Sequence, residues 1–205
     1  KRTAKDSTDT GFIKTDISVD DYRHSFYLVG KALGKLLNER THGEYGNTML
    51  ACASEDADLV GSWRFWRACL QKEVSLAVFW NERITLNAST GLEYSPIIKS
   101  YIEPIDKCRT LVVVKSIIST SCVVRTQLTR LINDIYPQEI YIVAPVMYKD
   151  AQAICKKEFP ASISDKFNFL TFAIDTLKDK EKGIIPGIGG MVYPKLGLGD
   201  MHAKK

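Results

Sequence analysis

The run Leu111-Val112-Val113-Val114 constrains this 205-residue chain more than any other stretch. An uninterrupted apolar, largely β-branched segment reads as a buried strand. It passes into Lys115-Ser116-Ile117-Ile118-Ser119-Thr120-Ser121-Cys122, a small hydroxyl-rich loop. A helix follows, with apolar positions at Val124, Leu128, Leu131 and Ile135. Strand, tight loop and helix start together make a phosphate cradle, because backbone N–H groups point outward and the helix dipole favours an anion. The loop has neither an acid nor a glycine, and a lysine stands at its mouth.

The rest of the chain repeats the alternation. Residues 1–17 are polar and threonine-rich and read as an arm. Ser18 precedes Tyr22, Phe26, Val29, Leu33 and Leu36 at helical spacing, with Asp20 and Asp21 in the first turn, where the dipole favours acids. Gly43 and Gly46 break that pattern. Met49–Ala53 is a short apolar run, followed by an acidic loop at 54–58 and a helix expected over 59–72 that carries Trp63 and Trp66. Val74–Phe79, Ile140–Val143 and Phe169–Ile174 read as strands, and Lys149–Lys157 as a helix. Residues 81–100 are less regular and suit a hairpin or an inserted arm. From Gly183 the chain is rich in glycine and proline. Strands alternating with helices predict an α/β fold: a central, mostly parallel sheet of about five strands flanked by helices. Ligands of such sheets bind beyond the carboxyl ends of the strands, so the loops after Val114, Val143 and Ile174 should share one rim.

Composition narrows the function classes. A net charge of +4 is mild and scattered, which argues against nucleic acid. No apolar run approaches the roughly 20 residues of a membrane span, and no signal peptide is visible. The chain starts at Lys1, so the expectation is that residues precede it or were removed. Five cysteines (Cys52, Cys69, Cys108, Cys122, Cys155) are widely spaced, and His24, His42 and His202 show neither metal-ligand nor triad spacing. Reduced thiols, a cytoplasmic location and no metal site are expected.

From about residue 100 the chain resembles the uracil phosphoribosyltransferases, a branch of the type I phosphoribosyltransferase fold. Three pieces carry the likeness. Ile102-Glu103-Pro104 leads through a short turn into Leu111–Val114. Ile140-Tyr141-Ile142-Val143-Ala144-Pro145 matches the next strand and its end. Ala173-Ile174-Asp175, then Gly183-Ile184-Ile185-Pro186-Gly187-Ile188-Gly189, resembles the family's uracil-binding hood, A-I-D followed by G-x-I-x-P-G-L-G-D. The resemblance covers about half of the chain and implies one domain over 18–205 with a C-terminal hood at about 175–205.

The family's phosphoribosyl-diphosphate loop runs approximately D-P-M-L-A-T-G-G-S and aligns with Lys115 to Val123. Ile117 and Ile118 match its apolar pair and Thr120 its threonine. Lys115 replaces the opening acid; Ser121 and Cys122 replace the glycines. An acid there accepts hydrogen bonds from the ribose hydroxyls, and lysine has no acceptor. Losing one charge-assisted contact costs roughly 1.5–3 kcal/mol. Glycines let the backbone approach a phosphate closely, and a Cβ obstructs that. The resemblance therefore implies a phosphoribosyltransferase-like protein with a degenerate site, acting as a ligand-binding, regulatory or assembly component. The alternative is an active uracil phosphoribosyltransferase, with Mg2+ as its cofactor. Lys115, Ser116, Ser119, Thr120, Ser121 and Cys122 are the candidates for a phosphate. Asp175, Ile185, Gly187, Ile188, Gly189 and Asp200 are the candidates for a base. The expected partners are a small phosphorylated or nucleobase ligand and a second copy or another protein.

Simpler readings stand beside these. Lys115 is also what a solvated strand-end lysine looks like, and Ser119–Ser121 also suit a helix cap. Glu55, Asp56 and Asp58 suit either a metal ion or an exposed, dipole-complementing helix start. Trp63, Trp66 and Trp80 with Arg64 and Arg67 suit base stacking or, more simply, a core or subunit contact. Asp175 orients a base or the hood, or merely ends a strand. Cys122 lies at a helix N-terminus, which can lower a thiol's pKa, but has no base beside it.

Overall fold

A computed structural model describes residues 17–41, 47–57, 59, 74–82, 84–87, 92–179, 183–190 and 192–199. The arm at 1–16, the expected helix after Leu59 with Trp63, Arg64, Trp66 and Arg67, and Asp58 lie outside the described residues. So do Cys69, His42, His202, Gly43, Gly46 and Asp200.

Helix α1 spans Val19–Thr41. Ser18 starts it: its Oγ accepts from the Asp21 N–H at 3.1 Å and donates to Asp21 Oδ2 at 2.8 Å. The 3.6-residue apolar spacing continues through Leu37, so Tyr22, Phe26, Val29, Leu33 and Leu37 form one buried stripe. Strand β1 (Thr48–Ala53) is buried along its whole length and ends in a 3-10 turn, Ser54–Asp56. Then come β2 (Val74–Asn81), β3 (Ile84–Asn87), β4 (Leu92–Tyr94), β5 (Ile97–Ile102), β6 (Thr110–Val114) and β7 (Ile117–Ile118). Helix α2 is Cys122–Ile135, followed by β8 (Glu139–Val143), β9 (Val146–Tyr148), α3 (Ala151–Lys157) and α4 (Ala161–Ser164). The chain finishes with β10 (Phe167–Leu170), β11 (Ala173–Asp175), β12 (Leu177–Asp179), β13 (Gly183–Ile185) and α5 (Val192–Lys195).

The main sheet has the order β10-β8-β6-β1-β2-β5. Every neighbour pair in it is parallel except β2–β5. The sheet is thus mostly parallel, as expected, with β6 at its centre. Its sixth strand comes from the segment read as irregular: β3 and β4 do form a hairpin, and β5 then returns antiparallel along β2. Alternation along the strands assigns the two faces. Leu50, Cys52, Val112, Val114, Tyr141 and Val143 pack with the α1 stripe. Met49, Ala51, Leu111, Val113, Ile140 and Ile142 pack with Val124, Leu128 and Leu131 of α2 and Cys155 of α3. Helix α1 packs its stripe on that face of its own sheet.

Phe26 is fully buried in that layer, whereas Tyr27 is 42% exposed. Phe26→Ala should cost about 3–5 kcal/mol in urea unfolding. Tyr27→Ala should stay within about 0.5 kcal/mol. Equal effects would show that α1 is not seated as described.

One expected strand is two. Phe169–Ile174 splits into β10, which pairs with β8, and β11, which pairs with β9. Thr171 makes the step: its Oγ1 donates to the carbonyls of Pro145 (3.1 Å) and Ala173 (2.9 Å). The chain steps in the same way between β8 and β9 and between β6 and β7. The three continuations form a small parallel sheet of order β11-β9-β7 on the rim of the main one.

Candidate functional site

The rim is assembled by register. In the β1–β6 pair Cys52 lies opposite Val114, so the residues just past both strand ends face one another. Lys115 Nζ lies 2.5 Å from Asp56 Oδ2 and 3.3 Å from Glu55 Oε1. The Ser116 N–H donates to Asp56 Oδ1 at 2.9 Å. Asp56 is fully buried and Lys115 is 7% exposed. Neither simple reading survives. Lys115 is not a solvated lysine, and Asp56 is not an exposed acid at a helix start; each is buried because it has the other as a partner. Burial alone works against the Lys115 ammonium, but the two carboxylates outweigh it and raise its pKa above the ordinary value of 10.5. Burial pushes the Asp56 carboxyl up, with Glu55 adding to the effect and Lys115 opposing it.

Beyond Lys115 the expected open loop is partly a strand. Ile117 and Ile118 pair with Val146 and Met147, which ties down the middle of the proposed cradle. Ser119 and Thr120 are half-buried and Ser121 is buried. Ser121 stands at the N-cap of α2, but its side chain makes no capping hydrogen bond; only its carbonyl is used, accepting from the Arg125 N–H at 2.7 Å. Cys122 is buried, with Arg125 Nη2 3.9 Å from its Sγ.

The hood folds back over this rim. Asp175 is buried, and its Oδ2 accepts from the Gly187 N–H at 2.8 Å, so it orients the hood loop as well as ending β11. Gly187 has φ +58°; a Cβ there would stand 2.5 Å from the Ile184 carbonyl oxygen and 3.3 Å from Ile117 Cδ1. Gly187 and Ile117 therefore join the base-side and phosphate-side candidates. Ile188 is buried, Gly189 half-buried and Ile185 38% exposed.

Tyr22 ties α1 to the hood, a role that helical periodicity alone does not reveal. It is fully buried, and its hydroxyl donates to the Ile188 carbonyl at 3.2 Å. Its ring stacks on Phe26 at 5.4 Å, and Lys195 Nζ lies 5.6 Å from the ring centroid. Burial, then the nearby Asp56 charge, pushes its phenol up. The Glu55-Asp56 pair after an apolar run was the available sequence signal for the buried cluster, but its partner is 59 residues away.

Burial raises the pKa of Asp175, and the Gly187 N–H opposes the rise. A folded pKa above the unfolded one favours the protonated fold: that contribution is present below the unfolded pKa and lost as pH rises through the folded value. Asp175→Asn keeps an acceptor for Gly187 and removes the buried charge, so at pH 7 it should be neutral or mildly stabilising. Asp175→Ala should cost about 1–3 kcal/mol by leaving the Gly187 N–H unsatisfied. Thermal unfolding of both variants at pH 4 and pH 7 checks this, and equal losses at pH 7 would contradict it.

Other candidates fall elsewhere. Trp80 lies opposite Lys99 near the sheet edge and is 37% exposed, so it is not a core residue. His24 is exposed on α1. A cavity of about 300 Å³ lies at the opposite end of the sheet, lined by Asn47, Ser75, Pro104, Ile105 and Asp106. Asn47 Nδ2 and Ser75 Oγ are used there to hold the carbonyls of Asp106 and Pro104. Among the described residues no group of three or more His, Cys, Asp or Glu could hold a metal ion. Among them, too, no helix is long and apolar enough to cross a membrane.

No family model matches this sequence, and no curated protein matches it. Solved structures do. The AQ2163 protein of Aquifex aeolicus is 12% identical, with 96% of each chain covered and a TM-score of 0.68. A protein of Neisseria gonorrhoeae solved with bound ppGpp is 16% identical over 78% of this chain and 85% of that one, with a TM-score of 0.43. Adenine phosphoribosyltransferase of Rhodothermus marinus is 14% identical over 70% of this chain and 77% of that one, with a TM-score of 0.47. The α/β fold described above is one that this chain shares with AQ2163 over nearly its full length.

Proposed function

We propose that this chain is a phosphoribosyltransferase-like protein whose phosphoribosyl-diphosphate site is degenerate, and that it works as a ligand-binding, regulatory or assembly component. Residues 18–205 form its one domain in this reading, with 1–17 as an arm. The observation that carries the proposal is the buried Lys115–Asp56–Glu55 cluster. The loop position where the resembling family has a ribose-binding acid holds an ammonium, and that ammonium is already engaged by carboxylates of its own chain. A phosphate has to compete with Asp56 at 2.5 Å for the same charge. Mg2+, which an active transferase would need, does not fit either, because the Lys115 ammonium already engages both acids that could hold it. Half-buried Ser119 and Thr120 remain as the hydroxyls for a small phosphorylated ligand.

The second reading, an active uracil phosphoribosyltransferase, has one observation in its favour. The hood keeps an ordered main chain, pinned by the Asp175–Gly187 bond, which suits a planar base. Calorimetry with phosphoribosyl diphosphate and Mg2+, followed by an assay for nucleotide formed from uracil, separates the two. The expected result is no turnover by the wild type. Micromolar binding with turnover, both lost in Thr120→Arg, would sink the degenerate-site reading.

A further inference from the structure

We infer that β5 pairs with β5 of a second copy of this chain, antiparallel about a twofold axis at Ser100, so that two six-stranded sheets join into one. The inference does not depend on the ligand reading above. Strand β5 ends the main sheet, and among the described residues no strand pairs with its outer side. The Glu103 N–H donates to the Leu76 carbonyl at 2.9 Å, and Tyr101 and Lys99 lie opposite Val78 and Trp80. Backbone groups alternate in direction along an antiparallel strand. Lys99 and Tyr101 therefore turn theirs toward β2, and Ser100 and Ile102 turn theirs outward. A row of outward, unpaired backbone groups is a template for another strand. Its side chains are apolar as well: Ile98 is 48% exposed and Tyr101 52%, with exposed Trp80 on the neighbouring strand.

Two features select a second copy as the occupant and fix its register. Pro96 and Pro104 stand four residues to either side of Ser100, and neither has an N–H to give to a ladder. The proline-free window is thus centred on Ser100, and an antiparallel copy centred there keeps both prolines out of the joint. Charge selects the same arrangement. Lys99 is the one charge in β5, and Glu103 lies just beyond its end. A copy centred on Ser100 sets Lys99 opposite the second copy's Tyr101. In each copy the Tyr101 hydroxyl donates to Glu103 Oε1 at 3.1 Å, so each ammonium approaches the ring and then the carboxylate of the other chain. A parallel in-register copy, or an antiparallel one centred on Lys99, sets the two ammoniums side by side. One face of the joint then runs Trp80, Lys99, and the second copy's Tyr101 and Val78 in a row across the axis. The β2–β5 ladder shifts register between Trp80 and Asn81, and such a bulge bends the Ile98 end of the edge away. The joint is therefore short, and the dimer it makes depends on concentration. A twofold also closes on itself: it uses the outer side of β5 in both copies and leaves none of it to recruit a third.

Sedimentation equilibrium of the full chain over a concentration series should show a monomer–dimer equilibrium. Ser100→Pro removes the outward N–H at the axis and leaves the Lys99 and Tyr101 bonds to β2 in place. It should weaken the dimer at least tenfold, while its monomer unfolds in urea as the wild-type monomer does. Lys99→Glu sets a carboxylate against the second copy's Glu103 and should weaken the dimer severalfold, more so at low salt. Crosslinking tests the register and does not need Ser100→Pro to fold. Opposed residues of a non-hydrogen-bonded antiparallel pair have Cα atoms about 4.5 Å apart, within the range a disulfide spans. Lys99→Cys mixed with Tyr101→Cys under glutathione disulfide should give a dimer linked from position 99 to position 101, identified by peptide mass spectrometry. That link should form at least tenfold faster than any link in either variant alone. A wild type that stays monomeric throughout the series overturns the inference. So does a dimer indifferent to both Ser100→Pro and Lys99→Glu, or a mixture that links no faster than its components.

Discussion

Lys115→Met should unfold in urea with about 3–5 kcal/mol less stability than the wild type, since removing one member of a buried ion pair leaves the other uncompensated. Asp56 is the reason: it is fully buried, and without the ammonium it keeps the Ser116 N–H but still faces Glu55, a second acid. The double variant Lys115→Met/Asp56→Leu should recover most of the loss. An apolar pair of similar volume is often no worse than a buried ion pair, less about 1–3 kcal/mol for the orphaned Ser116 amide. Singles and double together form a thermodynamic cycle whose coupling reports the pair. A loss below about 1 kcal/mol for Lys115→Met would mean that the pair is not closed in the native state. The pH profile has a defined sign as well. Lys115 has a folded pKa above 10.5, so its contribution is whole below that pH and fades as pH rises through the folded value. In Lys115→Met that alkaline decline should be absent. The cluster also bears on any attempt to restore the family's loop. Lys115→Asp alone would set a third carboxylate against Asp56 and Glu55, so a gain of transferase activity requires Asp56→Asn with it.

Gly187→Ala should cost the hood roughly 2–5 kcal/mol, combining a left-handed backbone with a carbonyl oxygen 2.5 Å from the new Cβ. Gly183→Ala separates the two causes. Gly183 has φ +76°, but its Cβ would meet nothing within 4 Å, so it should lose only the conformational part, about 1–2 kcal/mol. The obstruction at Gly187 cannot relax cheaply, because its near neighbour is backbone on β13 and Ile117 closes the other side. Native-state hydrogen exchange of the amides over 184–198 is the measurement of choice, since a local hood opening need not move the global unfolding midpoint. Equal protection in the two variants would show that the hood loop does not pack against β13 and β7 as described.

Much of the architecture was legible from local pattern. Continuous apolar runs marked β1, β6 and β8, and 3.6-residue spacing marked α1 and α2, because burial on two faces or on one stripe leaves those signatures in composition. Local pattern was weakest where a strand changes partners. The break at Thr171 separates two apolar segments that read as one, and only the Pro145 carbonyl, supplied by another part of the chain, turns it into a step. Strand β5 was missed because its exposed residues do not alternate in polarity.

The hood was legible as a motif, and Asp175 as a residue facing it. The state of the rim was not. From the sequence alone came an α/β chain with a lysine where the resembling family keeps an acid, and with glycines missing beside it. Whether that lysine was solvated, phosphate-binding or engaged was decided by the β1–β6 register, which sets Asp56 and Lys115 side by side although 59 residues separate them. The same holds for Tyr22: its place in a helical stripe says that it is buried, while the Ile188 carbonyl above it comes from 166 residues further along. Periodicity reports whether a side chain leaves water. Which charge or carbonyl it then meets depends on strand order and packing, and only the tertiary structure brings those groups together.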